Sequence, residues 1–322
     1  MTTPRHAGPN SPHHPDPTNQ HHTGPDTPRQ AGPTVFVIVG PTAVGKTAAA
    51  IRLAQQLGTR IISADSRQCY RELNIGVAKP SPHELSAVPH YFIDSHSIKE
   101  EVNAAVFERL ALQWTEEIFK TSPSVVMVGG TGLYIKAFTE GLDDIPPADE
   151  SIRFHIQQQY ELQGIGWLQE EIKKYDPDFY GKGEILNPQR LMRALEVRLT
   201  TGQSILSFRS REPKPRPFHI QTIGIQLPKE QLHERIHNRV DQMIKNGLPE
   251  EVRNLLPYRD HNALQTVGYR ELFEYLDGKC SLETAIANIK TNTRQYAKRQ
   301  LTWFRRNLST QWIGPNDPFP LP

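Results

Sequence analysis

Eight residues near the start of the chain have the types and the spacing needed to hold a phosphate group. They match the pattern G-x-x-x-x-G-K-[ST] and are, in order, Gly40, Pro41, Thr42, Ala43, Val44, Gly45, Lys46 and Thr47. In such a loop the backbone N–H groups point inward, and the start of the following helix adds positive potential. Lys46 supplies a full charge, and the Thr47 hydroxyl is available to a magnesium ion. The loop predicts a phosphate ester as ligand without specifying which one.

A carboxylate, Asp65, follows the next apolar run of the sequence, Ile61–Ala64. The phosphate loop itself follows the β-branched run 35–39 and leads into a helical pattern. Because residues just past the carboxyl ends of neighbouring parallel strands face one crevice, we expect Asp65 to face the loop. There it could hold magnesium through water or act as a general base. The position alone leaves a third role open, that of a helix N-cap.

A glycine-rich turn follows a third apolar run, 124–128, and should line the same crevice. It consists of Gly129, Gly130, Thr131 and Gly132. Nucleotide hydrolases usually place an Asp at this point to hold magnesium. The missing acid weakens the case for a nucleotide hydrolase, but a small-molecule kinase that uses ATP stays open.

The order of these elements predicts an α/β fold, namely a P-loop NTPase-like parallel sheet core flanked by helices. We assign the core to residues 34–139 and 216–322, the latter with strand 219–227 and basic C-terminal helices. Between them, residues 140–215 lack β signals and show helical periodicity at 151–163, 167–175 and 188–201 between proline-rich joints, which predicts an all-helical insertion domain. Residues 1–33, with eight prolines and five histidines, are predicted to be a disordered tail.

Basic residues are concentrated in the second part of the chain. Residues 1–183 carry 16 Lys and Arg against 21 Asp and Glu, whereas residues 184–322 carry 21 against 14. Arg235 and Arg239 lie four residues apart on one predicted helix and could clamp a diphosphate, although solvated surface is the alternative. A long helix from about 281 to 307 has no acid after Glu283, and its Lys and Arg residues at spacings of four and seven predict one basic stripe. Such a stripe suits contacts with a phosphate backbone.

The bulk composition excludes several classes of protein. With 37% hydrophobic and 22% charged residues the chain resembles a soluble globular protein, and no apolar run is long enough for a membrane span. Cys69 and Cys280 are too few for a disulfide framework or a zinc site. We therefore expect a cytoplasmic protein without membrane contact, and a monomer by default.

Taken in order, the motifs resemble those of the tRNA dimethylallyltransferase family, also called tRNA isopentenyltransferase. The resemblance covers roughly residues 34–314. The motifs that carry it are G-P-T-A-V-G-K-T at 40–47, D-S-R-Q-C-Y at 65–70, G-V-A-K-P at 76–80, G-G-T-G-L-Y at 129–134, N-P-Q-R-L-M-R-A-L-E at 187–196, V-G-Y-R at 267–270 and K-R-Q-L-T-W at 298–303.

The resemblance implies transfer of the dimethylallyl group from dimethylallyl diphosphate to N6 of the adenine 3′ to the anticodon of tRNA. It implies that Asp65 is the general base, that Lys46, Thr47 and Arg239 bind the diphosphate, and that Mg²⁺ binds at Thr47. The anticodon stem-loop of tRNA would be the macromolecular partner. Its implied contacts are Asp65, Ser66, Arg67, Gln68, Thr131, Arg153, Gln189, Arg190, Leu191, Met192, Arg193, Gln265, Thr266, Val267, Gly268, Tyr269, Arg270, Lys298, Arg299 and Gln300.

Two other functions remain as alternatives at this point. A small-molecule kinase would use the same loop for ATP, with Asp65 as base or magnesium ligand. A non-catalytic RNA-binding protein would carry a vestigial loop, but the intact Gly45-Lys46-Thr47 and Asp65 argue against it. The basic helix and the acid-free turn at 129–131 favour an RNA substrate over a small metabolite.

Overall fold

The β-branched runs of the sequence form one sheet in the computed structural model, which describes residues 32–210 and 212–321. All neighbouring strands are parallel, in the order β3-β2-β4-β1-β5-β6. The strands are β1 (Thr34–Val39), β2 (Ile61–Ala64), β3 (His90–Tyr91), β4 (Ser124–Gly129), β5 (His219–Ile225) and β6 (Gln311–Ile313). The predicted α/β core is thereby confirmed, whereas the predicted tail lies almost wholly outside the described residues.

Helices cover both faces of this sheet. Alternate residues of β1 point to opposite sides, so that Val35 and Val37 join one buried cluster and Phe36 and Ile38 the other. The flanking helices of the first half are α1 (Lys46–Leu57), α2 (Pro82–Ala87), α3 (Ala104–Phe119) and α4 (Gly132–Glu140). This burial fixes the register of β1, and therefore the position at which the phosphate loop leaves the sheet.

The segment between β4 and β5 is helical and has a hydrophobic cluster of its own. It contains α5 (Glu150–Tyr175), α6 (Pro177–Lys182), α7 (Pro188–Thr201) and a 3₁₀ turn (Ile205–Phe208). The two helices predicted at 151–163 and 167–175 are one element broken at Gly164, whose φ of 74° is not helical. Asn187 caps α7 by accepting a hydrogen bond from the Arg190 N–H, and Pro188 occupies the first turn as predicted. No strand of the described residues lies in this segment.

The C-terminal part returns to the sheet and adds helices beside the phosphate loop. These are α8 (Lys229–Lys245), α9 (Leu248–Asn254), α10 (Tyr269–Leu276) and α11 (Leu282–Phe304), with 3₁₀ turns at Leu256–Tyr258 and Asn262–Leu264. The long basic helix and the helix that follows β5 agree with the sequence prediction, whereas α9 and β6 carry no recognised signal. None of the helices in the described parts of the chain has the length and apolar composition needed to cross a membrane.

Candidate active site

The phosphate loop connects β1 to α1 through a turn in which three residues have positive φ angles. Gly40, Ala43 and Gly45 have φ values of 147°, 64° and 103°. A Cβ atom on Gly40 would lie 2.5 Å from the carbonyl oxygen of Ile225, so only glycine fits there. Helix α1 begins at Lys46, directly after the turn. The turn therefore places its N–H groups and the helix start at one point, as the motif predicts.

Lys46 reaches back over the loop that precedes it. Its Nζ donates hydrogen bonds to the carbonyl oxygens of Gly40 at 3.0 Å and Pro41 at 2.8 Å. Desolvation by the surrounding protein lowers the pKa of Lys46 to about 7; Arg239 acts in the same direction, and Asp65 opposes both. A bound anion would favour the charged form, so this lysine is suited to a phosphate ligand.

Asp65 lies at the carboxyl end of β2 and uses one carboxylate oxygen to shape the chain that follows. Its Oδ1 accepts hydrogen bonds from the N–H groups of Arg67 at 2.9 Å and Gln68 at 3.3 Å. Its Oδ2 makes no hydrogen bond to any described residue. No helix begins after Asp65, so the N-cap role considered from the sequence is wrong; Oδ1 instead stabilises the turn 66–69, and the second oxygen is left available for chemistry.

A cavity of about 380 Å³, here called the phosphate cavity, joins these groups. Its lining includes Lys46, Thr47 and Asp65 together with the two arginines of α8. Arg239 donates to the Thr42 hydroxyl at 3.1 Å, and Arg235 to the carbonyl oxygen of Val44 at 3.3 Å. Burial lowers the pKa of Arg239, and the nearby Asp65 opposes that shift. Arg235 and Arg239 are therefore not simply solvated surface residues, because both guanidinium groups bind the phosphate loop.

Thr131 and Gln300 tie the glycine-rich turn to its neighbours. The Thr131 hydroxyl accepts a hydrogen bond from the Ser66 N–H at 3.0 Å. Gln300 is 6% exposed; its Oε1 accepts from the Thr42 N–H at 2.8 Å and its Nε2 donates to the Gly130 carbonyl at 2.9 Å. The Gln300 side chain thus lies between the phosphate loop and the turn, inside the protein, although the motif comparison implies a tRNA contact for this residue.

A second cavity of about 400 Å³, here called the base cavity, is also lined by Asp65. Three separate segments with implied tRNA contacts meet around it, namely 65–67, 265–270 and the middle of α11. The residues of these segments that line it are Asp65, Ser66, Arg67, Gln265, Thr266, Val267, Gly268, Arg270, Thr293, Tyr296 and Arg299. Tyr269 is instead fully buried. The two cavities share Asp65, which is where a base and a phosphate ester could meet.

The implied tRNA contacts in the insertion lie on other elements. Arg153 forms ion pairs with Glu196 of α7 at 3.6 Å and with Glu101 of the core at 3.8 Å. Leu191 and Met192 belong to the buried cluster of the insertion. On α7, Gln189 and Arg190 are exposed, with Arg190 paired to Glu184, whereas Arg193 is half-buried, pairs with Glu196 at 3.3 Å and donates to the Pro146 carbonyl at 3.0 Å.

The basic stripe of α11 is shorter than the spacing predicts. Lys290 pairs with Asp241 of α8 at 2.6 Å, so its charge is neutralised. Further along, a groove of about 290 Å³ is lined by Lys298, Arg299, Thr302, Trp303 and Arg306. Residues 298–306 therefore form the part of the stripe that is open to a polyanion.

Sequence reasoning missed the clamp that holds the loop 74–80. The Glu251 carboxylate accepts hydrogen bonds from the N–H groups of Asn74, Ile75 and Gly76 at 3.2, 2.8 and 3.1 Å. Tyr269 donates its hydroxyl proton to the same carboxylate, and a Cβ on Gly76 would lie 2.5 Å from its ring. Gln68 holds the loop from the other side through the carbonyl oxygens of Val77 and Ala78 at 3.2 and 3.1 Å. The only sequence signals were Gly76 and the tyrosine of V-G-Y-R, and neither points to Glu251.

Comparison with known proteins identifies the family. The family model described as IPP transferase matches residues 68–307. The chain is 49% identical over 276 residues to a tRNA dimethylallyltransferase of Christiangramia forsetii, covering 86% of this chain and 91% of that protein. It is 44% identical to the enzyme of the same name from Cytophaga hutchinsonii, covering 87% and 92%.

Solved structures agree with this result. A tRNA isopentenylpyrophosphate transferase from Bacillus halodurans has a TM-score of 0.64 at 38% identity and covers 88% of this chain and 90% of that one. A eukaryotic dimethylallyltransferase, described as acting on tRNA, has a TM-score of 0.71 at 27% identity and covers 88% and 74%. The chain, with its phosphate loop, the carboxylate at the end of β2 and the helical insertion, therefore belongs to the IPP transferase family.

Proposed function

We propose that this chain, a prenyl-transferring enzyme that acts on tRNA, uses dimethylallyl diphosphate as donor. The acceptor is N6 of the adenine 3′ to the anticodon, and the products are N6-isopentenyladenosine and diphosphate. The observation that carries the proposal is the position of Asp65, which lines both the phosphate cavity and the base cavity. A donor held by the loop and a base entering from the other side would meet at this carboxylate.

The chemistry requires a base on one side and anion stabilisation on the other. The N6 lone pair of adenine is delocalised into the ring, so the amine is a weak nucleophile. Asp65 Oδ2 accepts the N6 proton while the nitrogen bonds to the allylic carbon and the C–O bond to diphosphate breaks. Loop N–H groups, Lys46 and Arg239 stabilise the negative charge on the leaving diphosphate, and such fixed donors usually make the largest contribution to catalysis. No P–O–P bond is split.

The donor set fits a magnesium ion bound together with the diphosphate. Mg²⁺ usually keeps several waters and combines one or two protein groups with substrate phosphates. Thr47 and Asp65 line one cavity, and the described residues contain no group of three or more His, Cys, Asp or Glu that would enclose a metal. We therefore propose that the Thr47 hydroxyl holds Mg²⁺, with Asp65 within reach through water. The ion would neutralise charge on the leaving group.

The tRNA side of the proposal depends on the base cavity and the open part of α11. Extruding an unpaired loop base costs only a few kcal/mol. Tyr296 is 37% exposed at the base cavity, with the Arg299 guanidinium 5.8 Å from its ring centre, so both can stack on bases. Lys298 and Arg306 would contact phosphates, and Gln189, Arg190 and Arg193 would approach from the insertion.

We propose a monomer as the active unit. Placement in the cytoplasm follows from the proposed tRNA substrate. The kinase alternative would need ATP in the phosphate cavity and a small acceptor in the base cavity. The basic lining of the base cavity by Arg67, Arg270 and Arg299 favours a polyanionic acceptor instead.

The decisive experiment incubates the protein with unmodified tRNA and labelled dimethylallyl diphosphate, with ATP as the competing donor. Label in the tRNA is expected, whereas phosphate transfer from ATP would support the kinase. Asp65→Asn tests the base, because its side-chain oxygen can still accept from Arg67 and Gln68. We expect the variant to lose about 10²- to 10⁴-fold in transfer and to keep its tRNA affinity. Equal loss of both would refute the assignment of Asp65 as base.

A further inference from the structure

The loop 76–80, here called the wall loop, contributes residues to the linings of three cavities. Its residues Val77 and Ala78 line the phosphate cavity and the base cavity. Ala78 also lines a third cavity of about 520 Å³, here called the side cavity, which includes Ile75, Leu85 and Met243. The chemistry of these linings shows what part of a substrate the wall loop would touch.

Among the residues that the structure describes, five line both the phosphate cavity and the base cavity. They are Thr42, Asp65, Val77, Ala78 and Arg239. Three of these, Thr42, Asp65 and Arg239, are polar. Arg239 is hydrogen-bonded to Thr42, and Asp65 binds the turn that follows it. The apolar surface at the junction therefore comes from Val77 and Ala78.

The wall loop is held in a single position from three sides. Gln68 binds its carbonyl groups, and Glu251 binds the N–H groups at its start. Lys79 points inward, where its Nζ donates to the Tyr70 carbonyl at 2.7 Å and pairs with Asp94. Ala78 has a φ of 49°, a conformation that favours glycine. These contacts fix the positions of Val77 and Ala78 in the cavity linings.

We infer that Val77 and Ala78 contact the five-carbon group during transfer and set the longest prenyl chain that the enzyme accepts. This inference rests on the proposed function. The diphosphate lies on one side of the junction and the adenine on the other, so the apolar group that moves between them must lie at the junction. Extra isoprene units would have to pass Val77 or Ala78, because the other shared groups are polar.

The side cavity gives the inference a direction. It shares Ala78 and Arg239 with the other two cavities, and within a mixed lining Ile75, Leu85 and Met243 provide it with apolar surface. Because Ala78 lines all three cavities, we expect removal of its methyl group to widen the junction toward the side cavity. Glycine is also the residue that the φ of Ala78 favours, so the change should not strain the loop.

The test compares dimethylallyl diphosphate with geranyl diphosphate, the ten-carbon homologue, as donors to unmodified tRNA. We expect Val77→Ala and Ala78→Gly to raise the ratio of kcat/KM for the ten-carbon over the five-carbon donor by ~10-fold or more, as pocket methylenes commonly do. Val77→Ile should lower that ratio. Val106→Ala is the matched control, since this residue of α3 lines none of the three cavities and the ratio should stay unchanged.

Calorimetric binding of the two diphosphates to each variant measures the ratio of their affinities without turnover, and this ratio should shift in the same direction. Ratios within about twofold of the original chain for both Val77→Ala and Ala78→Gly would overturn the inference. A change of the same size in Val106→Ala would also overturn it. If the original chain itself transfers no dimethylallyl group to tRNA, the proposed function fails instead.

Discussion

Gln300 offers a sharp test of how the site is assembled. In Gln300→Ala the Thr42 N–H and the Gly130 carbonyl both lose their partner in a region where Gln300 is only 6% exposed. A buried polar group left unpaired costs about 1–3 kcal/mol. The Gly130 bond is buried whereas the Thr42 bond is part-buried beside the phosphate cavity, so we expect a loss of about 1–4 kcal/mol in the free energy of unfolding, against the ~5–15 kcal/mol of a typical domain.

Urea unfolding of the purified chain measures this loss, with Lys298→Ala as the control on the same helix. Lys298 is exposed, so its replacement should change stability by no more than about 0.5 kcal/mol. Gln300→Glu should be intermediate, since a carboxylate still accepts from Thr42 but cannot donate to Gly130. Inorganic diphosphate should also bind Gln300→Ala more weakly, because a loop N–H has lost its orientation.

The opposite pattern would refute this reasoning. If Gln300→Ala unfolds within about 0.5 kcal/mol of the original chain and loses tRNA affinity alone, then Gln300 contacts tRNA directly. The tRNA contact that the K-R-Q-L-T-W motif implies for Gln300 would in that case be correct. The conclusion that Gln300 stabilises the phosphate loop would then be wrong.

Three further predictions concern charge. Arg239→Ala should lower kcat/KM for the donor by about 10- to 100-fold in steady-state assays, and a changed preference among tRNAs would contradict its assignment to the diphosphate. Lys298→Ala should reduce the slope of log tRNA affinity against log salt by about one, and an unchanged slope would remove Lys298 from the phosphate contacts. Since the pKa of Lys46 is lowered from 10.5 to about 7, the unfolded chain binds the extra proton between these values, and stability of the free enzyme should rise with pH across that window. Binding of dimethylallyl diphosphate at pH 8.5 should then take up about one proton in calorimetry with two buffers; no uptake would refute the shift.

The sequence was sufficient for the parts of the fold that depend on local pattern. The run 35–39 and its glycine-rich turn predicted both the central strand and the start of α1, because strand burial and loop conformation are set by neighbouring residues. Asp65 was placed correctly in the crevice by the rule for parallel strands. The insertion helices followed from periodicity and from Asn187-Pro188.

Contacts between segments that are distant in the sequence could not be predicted in this way. Glu251 looks like an ordinary acid in the first turn of a short helix, yet it binds three N–H groups of a loop more than a hundred residues earlier. Lys290 fits a basic stripe by spacing, but Asp241 on another helix neutralises it. Such pairings are decided by tertiary packing, which periodicity cannot report.

The link between Thr42 and Gln300 has a consequence for synthesis of the chain on the ribosome. The two residues are 258 positions apart. At about 5–20 residues per second, the nascent chain has its phosphate loop for roughly 10–50 seconds before Gln300 is made. During that interval the glycine turn and the loop lack the side chain that joins them. A chain that stopped before α11 would therefore keep the phosphate-loop sequence but lack the assembled phosphate cavity. We expect such a chain not to bind the donor.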